Sequence, residues 1–338
     1  MDRILIDKVR TADLAVEWLA RRPPVVKTWL TGVSGFDGRP ALQSFDEPTK
    51  VIHLSAFEDW IMANKIPVGD AATTFVEYTK KHAHGLFDGI AAVLTGSTNA
   101  VARILNGVPA PALIVLIAAL SWVLRRSIGL VVFVVLSLLF IMNQGYWDAT
   151  LETLTLVLVA AIVATVIGVP LGIWGAKRPR VYAGMRPVLD LMQTLPTFVY
   201  LTPTLVLFGL GIVPGLISTI IFALPAPIRL TELGIASVPK TLREAGQAFG
   251  ATPLQLLFKV ELPSARPMIL AGITQCIMLS LSMVVIAALV GAGGLGVPVV
   301  RALNTVQVGM GFEAGLAIVL LAIMLDRISR PAEKKGQE

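Results

Sequence analysis

Apolar and polar positions fall into blocks along this chain. From about residue 108 onward, long apolar runs alternate with short polar ones. Seven of the runs approach the ~20 residues needed to cross a bilayer core: residues 108–124, 128–144, 151–176, 188–210, 213–230, 267–290 and 312–325. Ahead of them, Leu86, Phe87, Ile90, Val93, Leu94, Val101, Ile104 and Leu105 form a stripe interrupted by Gly96-Ser97-Thr98-Asn99. A stripe rather than a full coat predicts an amphipathic helix over residues 87–107, lying in the membrane interface. Residues 1–86 are polar, with short apolar-periodic pieces at 12–19, 57–63 and 72–78 around a turn-rich stretch at 32–48. That pattern predicts a small helical extension. The expected fold is an all-α membrane protein: a polytopic bundle of about seven transmembrane helices over residues 108–330, followed by a short tail at 331–338.

Composition agrees, because 55% of residues are hydrophobic and only 15% charged, with a mean hydropathy of +0.76. A soluble domain of this length could not hide so much apolar surface. The net charge of +6 does not point to nucleic acid: residues 1–107 hold as many acidic as basic side chains, so the excess sits in the membrane half. There it alternates. Arg125-Arg126, then Lys177, Arg178, Arg180 and Arg186, then Arg229, Lys240, Arg243, Lys259 and Arg266, and finally Arg327, Arg330, Lys334 and Lys335 mark one side. The loops at 145–150, 211–212 and 291–311 hold only Arg301. The basic side is expected to be cytoplasmic, which puts the N-terminal region outside and the C-terminus inside. The single cysteine, Cys276, lies in an apolar run and allows no internal disulfide; residues 1–17 lack the apolar core of a signal peptide.

The polar stretch at 239–263, PKTLREAGQAFGATPLQLLFKVELP, is the most punctuated in the chain. Thr241 is expected to cap a short helix over 242–249, with Glu244 completing a capping box. Gly250 supplies a left-handed stop. Thr252-Pro253 then opens a second helix, with hydroxyl at N-cap and proline at N1, and Pro263 is expected to end it. Phe249, Leu256, Leu257 and Phe258 are too apolar for a plain solvated loop, so a partner is expected to grip it.

Within the spans no lysine or arginine stands at mid-depth, and Asp148, Glu152, Asp190 and Asp326 lie near ends. Intramembrane charges are costly and are kept for ion or proton relays, so their scarcity argues against an ion-driven carrier. No phosphate-cradling Gly-rich loop with a following Lys-Ser/Thr is present either. Gly291-Ala-Gly-Gly-Leu-Gly296 has no strand beside it; it predicts a flexible or re-entrant outer loop leading into a short helix at 297–305. His82 and His84 lack a third ligand nearby and predict surface histidines, not a metal site. The polar groups Gln193, Thr194, Thr197, Tyr200 and Thr202, with Pro196 and Phe198 among them, and Ser280 and Met283 of the sixth span, are candidates to line a path. Interhelical packing is the alternative, favoured for Ser280.

Glu244-Ala245-Gly246, Gly250, Val260 and Leu262-Pro263 are spaced as in the EAA signature, so the loop resembles that of membrane subunits of ABC importers. MQTLPTFVYLTPTLVLFGLG, IIFALPAPIRLTELGI, FGATPLQLLFKVELP and LSLSMVVIAALVGAGGLG are similar to the permease subunit of glycine betaine/proline betaine/choline importers, and the likeness extends over residues 66–330. It implies a type I importer permease fold, with the loop as a coupling helix carrying Glu244, Ala245, Gly246, Phe249, Gly250, Leu257, Leu262 and Pro263 to an ATPase. It further implies a homodimer, two copies of a cytoplasmic ATPase that binds ATP and magnesium, an extracytoplasmic betaine-binding protein, and a bacterial inner-membrane location. This chain itself would be no enzyme and hold no cofactor. A non-transporting membrane sensor and an ion-coupled secondary carrier are the competing functions.

Overall fold

The computed structural model describes residues 67–330. The expectations for residues 1–66 and for the tail at 331–338 lie outside the described residues. Among the described residues every regular element is helical. In chain order these are α1 (Val68–His82), α2 (His84–Asn106), α3 (Ala110–Arg125), α4 (Ile128–Asn143), α5 (Trp147–Lys177), α6 (Pro179–Thr194), α7 (Thr197–Phe208), α8 (Ile212–Ala223), α9 (Pro225–Ala236), α10 (Lys240–Ala248), α11 (Pro253–Leu256), α12 (Leu262–Ala287), α13 (Gly296–Thr305) and α14 (Val308–Ser329).

Four helical stretches are long and apolar enough to cross a membrane: Trp147–Lys177, Ile212–Ala236, Pro253–Val290 and Val308–Ser329. The count rises to six if each of two bent pairs is one span, and α4 is a further, shorter apolar helix. The expected span at 188–210 is not one rod. Its chain breaks between α6 and α7, which meet at 98°. Leu195 precedes Pro196 and is extended, with φ −63° and ψ 134°, because the proline ring disfavours helical geometry in the residue before it. α2 and α3 make a second bend of 101° across Gly107–Pro109. α2 turns Leu94 and Thr98 into the bundle and leaves Leu86, Val93 and Ile104 exposed.

The centre is built from α5, α8–α9 and α12, which pack directly on one another. Small residues permit the close approach. A Cβ added at Gly172 would meet the Ile228 carbonyl oxygen at 2.6 Å, and one at Gly168 would meet the Pro227 ring at 2.7 Å. In apolar surroundings such backbone proximity, rather than a hydrophobic driving force, holds helices together. Val134, Val157, Leu216, Val284, Leu295 and Leu321 fill the core around this contact.

Two further expectations are sharpened. Of the flexible and re-entrant readings of the Gly-rich segment after α12, the flexible one is set aside because the segment is packed, and the expected short helix follows it as α13. Gly291 and Gly294 take φ values of +90° and +93°, and the backbone N–H groups of Gly294 and Leu295 donate to Glu152 Oε2 (2.7 Å) and Thr153 Oγ1 (2.8 Å) of α5. The fifth span runs on past its expected end at residue 230, to Ala236, and Arg229 in α9 reaches Asp190 of α6 at 2.5 Å.

Candidate coupling loop and translocation path

α10, the first helix of the 239–263 loop, begins at Lys240 behind Pro239, and no side chain caps it. The expected Thr241–Glu244 capping box is therefore absent: Pro239 already fixes an extended entry (φ −53°, ψ 136°) and the helix starts two residues earlier, at Lys240. The stop meets the expectation. Gly250 sits at φ +77°; its N–H donates to the Gln247 carbonyl at 2.9 Å, and that of Ala251 to Gly246 at 3.1 Å. This is the Schellman pair of hydrogen bonds. The second helix also starts as expected. Thr252 Oγ1 accepts from the Gln255 N–H, Gln255 returns the bond, and Pro253 stands in the first turn.

Pro263 does not end that helix. α11 widens into a π turn at Leu257–Glu261, where the Leu262 N–H bonds to the Leu257 carbonyl, and continues as α12. Proline has no N–H to lose in the first turn after such a widening, so the loop runs into the membrane span without a joint.

The π turn aims Glu261 inward. Its residue is only 3% exposed, yet it is a carboxylate between two cations. Lys177 Nζ, from the last residue of α5, donates to Glu261 Oε2, and Arg243 Nε of α10 stands 3.5 Å from Oε1. Arg243 also donates to the Ile235 carbonyl at the end of α9. A buried carboxylate is costly unless paired on this scale. Glu261 thus ties the loop to the end of α5, and Arg243, which it holds, ties the loop to the end of α9. Sequence reasoning missed it, because Glu261 looks like one more surface charge until the π turn is known.

The predicted coupling residues divide. Glu244, Ala245, Gly250 and Pro263 are exposed, and Phe249 is 91% exposed. Leu262 and Gly246 are half-buried, with Leu256 Cδ1 lying 2.7 Å from where a Gly246 Cβ would be. Leu257 is corrected: it is 8% exposed and packs in a cluster with Ile235 and Ala265, so it is not free to fill a partner's groove. The apolar groups the loop displays are Phe249, Leu254 and Phe258.

The predicted path residues also divide. Gln193 and Thr194 end α6 and Thr197 and Phe198 begin α7, so they gather with Pro196 around the bend. Tyr200 is buried and braces it by donating to the Met192 carbonyl at 2.5 Å. Thr202 is exposed and lines a cavity of about 540 Å³ with Glu77 of α1 and Val206. Ser280 and Met283, on α12, are fully buried, and Ser280 Oγ donates to its own helix at Cys276 (2.8 Å). In this conformation those two are packing positions. A second cavity of about 350 Å³, whose lining includes Asn99, Asn106, Glu152 and Thr155, lies against Gly293 of the Gly-rich segment and was not foreseen. His82 Nδ1 lies 2.9 Å from the Tyr78 carbonyl and His84 Nδ1 2.6 Å from Asp88, each ring paired one turn away.

The family described as "Binding-protein-dependent transport system inner membrane component" matches residues 168–333. The glycine betaine transport system permease protein OpuAB of Bacillus subtilis (strain 168) is 47% identical over 271 residues, covering 80% of this chain and 96% of that one. The chain belongs to this family of permeases. The glycine betaine/proline betaine permease ProW of Escherichia coli (strain K12) is 45% identical across 78% of this chain and 75% of its own length. Among solved structures, the inward-facing MetNI methionine ABC transporter aligns with 52% of this chain and 88% of its own, at 25% identity and a TM-score of 0.48. Membership in the family makes this chain a non-enzymatic membrane subunit of a transporter, and it sets aside the sensor and ion-coupled carrier.

Proposed function

We propose that this permease is the membrane subunit of an ATP-driven importer of quaternary ammonium osmoprotectants: glycine betaine, proline betaine or choline. The observation that carries the substrate class is the 47% identity to the B. subtilis glycine betaine permease across nearly all of that protein. The exposed coupling loop supports the mechanism. Two copies of the chain form the path, each offering Phe249, Leu254 and Phe258 to one of two cytoplasmic ATPases that hold ATP and magnesium. Closure of the ATPases moves α10, and the Glu261 cluster carries that motion to the ends of α5 and α9. An extracytoplasmic binding protein delivers the solute. With neutral hydroxyls, amides and aromatic faces around the α6–α7 bend, the path admits a zwitterion without holding it tightly. The basic loops, α10 and the C-terminus face the cytoplasm of a bacterium, and the N-terminus faces outward.

The test is uptake. Cells lacking their own betaine systems, given this permease with its ATPase and binding protein, should accumulate labelled glycine betaine, with competition by proline betaine and choline ranking the substrates. Accumulation by the permease alone, driven by an ion gradient, would overturn the mechanism. Uptake of some unrelated solute would overturn the substrate class.

A further inference from the structure

The cavity of about 350 Å³ lies where α2, the first turns of α5 and the start of α8 meet the Gly-rich segment. Its lining differs from the neutral surroundings of the α6–α7 bend. Asn99, Ala102 and Asn106 contribute at helical spacing from α2, Glu152 and Leu156 from α5, and Ile212 from α8. Glu152 is the one charged residue in that lining, and among the described residues no basic side chain forms an ion pair with it. Its carboxylate is half committed. Oε2 accepts from the Gly294 N–H at 2.7 Å. A Cβ on Gly293 would stand 2.4 Å from the same oxygen, so only glycine lets the segment close over the carboxylate. Asn99, Asn106 and Glu152 are exposed, so the cavity is open to solutes.

One negative charge, two amides and an apolar wall select among cations. A bound calcium takes six or more oxygens within about 2.6 Å, which one carboxylate in so wide a cavity does not supply. A bare monovalent ion would leave Leu156 and Ile212 facing water. A small organic zwitterion uses every part of the lining: its methyl-clad ammonium lies between Glu152 and the apolar wall, and its own carboxylate accepts from the Asn99 and Asn106 amides. No aromatic ring lines the cavity, so the cation–π attraction that makes a tight cage is missing and the hold is weak. A weak hold suits a point of transfer, where a solute must leave as readily as it enters.

We propose that this cavity is a transient outer site for a methylated ammonium zwitterion, occupied after the solute leaves the binding protein and before it reaches the α6–α7 bend. The identity of the solute and the outward placement rest on the function proposed above; the preference for a cation rests on Glu152 alone.

The experiment is thiol labelling of Ala102→Cys in the purified permease–ATPase complex, without nucleotide or binding protein. Cys276 is buried and does not compete. The probes are the trimethylammonium-ethyl and sulfonatoethyl methanethiosulfonates, each normalised to its rate with a free thiol. The cationic reagent should react about tenfold faster, from roughly threefold gained by the cation and lost by the anion near one charge about 7 Å away in water. Glu152→Gln, whose amide oxygen still accepts from Gly294, should abolish that preference. Asn99→Asp, at an exposed position away from the Gly-rich segment, should raise it. Excess glycine betaine should slow the cationic reagent, and glycine or sucrose at equal osmolarity should slow it much less. Equal normalised rates would overturn the proposal. So would an unchanged preference in both Glu152→Gln and Asn99→Asp, or protection by glycine or sucrose as strong as by glycine betaine. None of these measurements requires transport. A natural complex that takes up no betaine therefore counts against the function proposed above, whereas lost preference or protection in a complex that does take it up counts against this site.

Discussion

The coupling loop and the membrane helices both carry polar side chains, but they bond them differently. At the loop, bonds run between elements: Glu261 joins α5 to α10, and Arg243 reaches the end of α9. Inside the bundle most hydroxyls turn back on their own helix. Thr155, Thr219, Thr274 and Ser280 each donate to the carbonyl four residues earlier. A hydroxyl spent this way satisfies itself and says little about its neighbours. Polarity within a span is therefore weak evidence for a path, whereas a charge buried at the end of a span is strong evidence for a mechanical joint.

The largest effect should come from cutting that joint. Glu261→Ala leaves Lys177 and Arg243 without their shared carboxylate; because both cations keep about a third of their surface in solvent, the stability lost is that of the charge-assisted bonds, about 1.5–3 kcal/mol, and the larger effect falls on transport. A drop in the thermal midpoint of the purified complex, with transport per ATP hydrolysed falling further than ATP hydrolysis itself, is the expected result. Unchanged stability and unchanged transport per ATP would show that the loop's inter-element bonds are no different from the hydroxyls within the helices.

Next comes a pair that separates packing from display. Leu257→Ala should destabilise the chain by about 2–5 kcal/mol, because the side chain is buried against Ile235 and Ala265. Phe249→Ala should leave the chain's own stability unchanged, since the ring is exposed, and weaken ATPase association by about 2 kcal/mol or more. Thermal melting of the permease and pull-down of the ATPase read the two effects apart. Equal losses in both assays for both variants would remove the distinction between the two residues.

These positions also show what was legible before the fold was known. The N-cap of α11 and the stop at Gly250 are local signals, written within a few residues, and they survived. Leu257 and Phe258 are adjacent and equally apolar, so which one faces a partner depends on the π turn, a departure from helical period that no spacing rule anticipates. The break at Leu195-Pro196 was signalled by its proline, but a run of apolar residues on both sides outweighed it. The fifth run was expected to stop at 230, just after Arg229; α9 carries that charge onward because Asp190 of another helix supplies the counter-charge, and that is a long-range fact.

Gly250→Pro should act more locally. The substitution removes the N–H that bonds Gln247 and demands a φ near −65° where the backbone sits at +77°, a cost of about 3 kcal/mol at the turn. Membrane insertion should persist while ATP-driven uptake is lost, measured by chain abundance in membranes beside uptake rate. Full substrate-stimulated ATP hydrolysis in this variant would mean the turn's shape is irrelevant to coupling.

The smallest effect should fall within the bundle. Ser280→Ala removes a hydroxyl bonded to the carbonyl and the thiol of Cys276, one turn back on its own helix, so it should change stability by about 1 kcal/mol or less and uptake hardly at all. Its counterpart is Thr202, which opens on the cavity beside α1. With Cys276 buried and silent, Thr202→Cys should react with a water-soluble thiol reagent while Ser280→Cys stays protected. If Ser280→Cys becomes reactive during turnover, α12 rotates that face into water, and the back-bonded hydroxyl belongs to the path in another conformation.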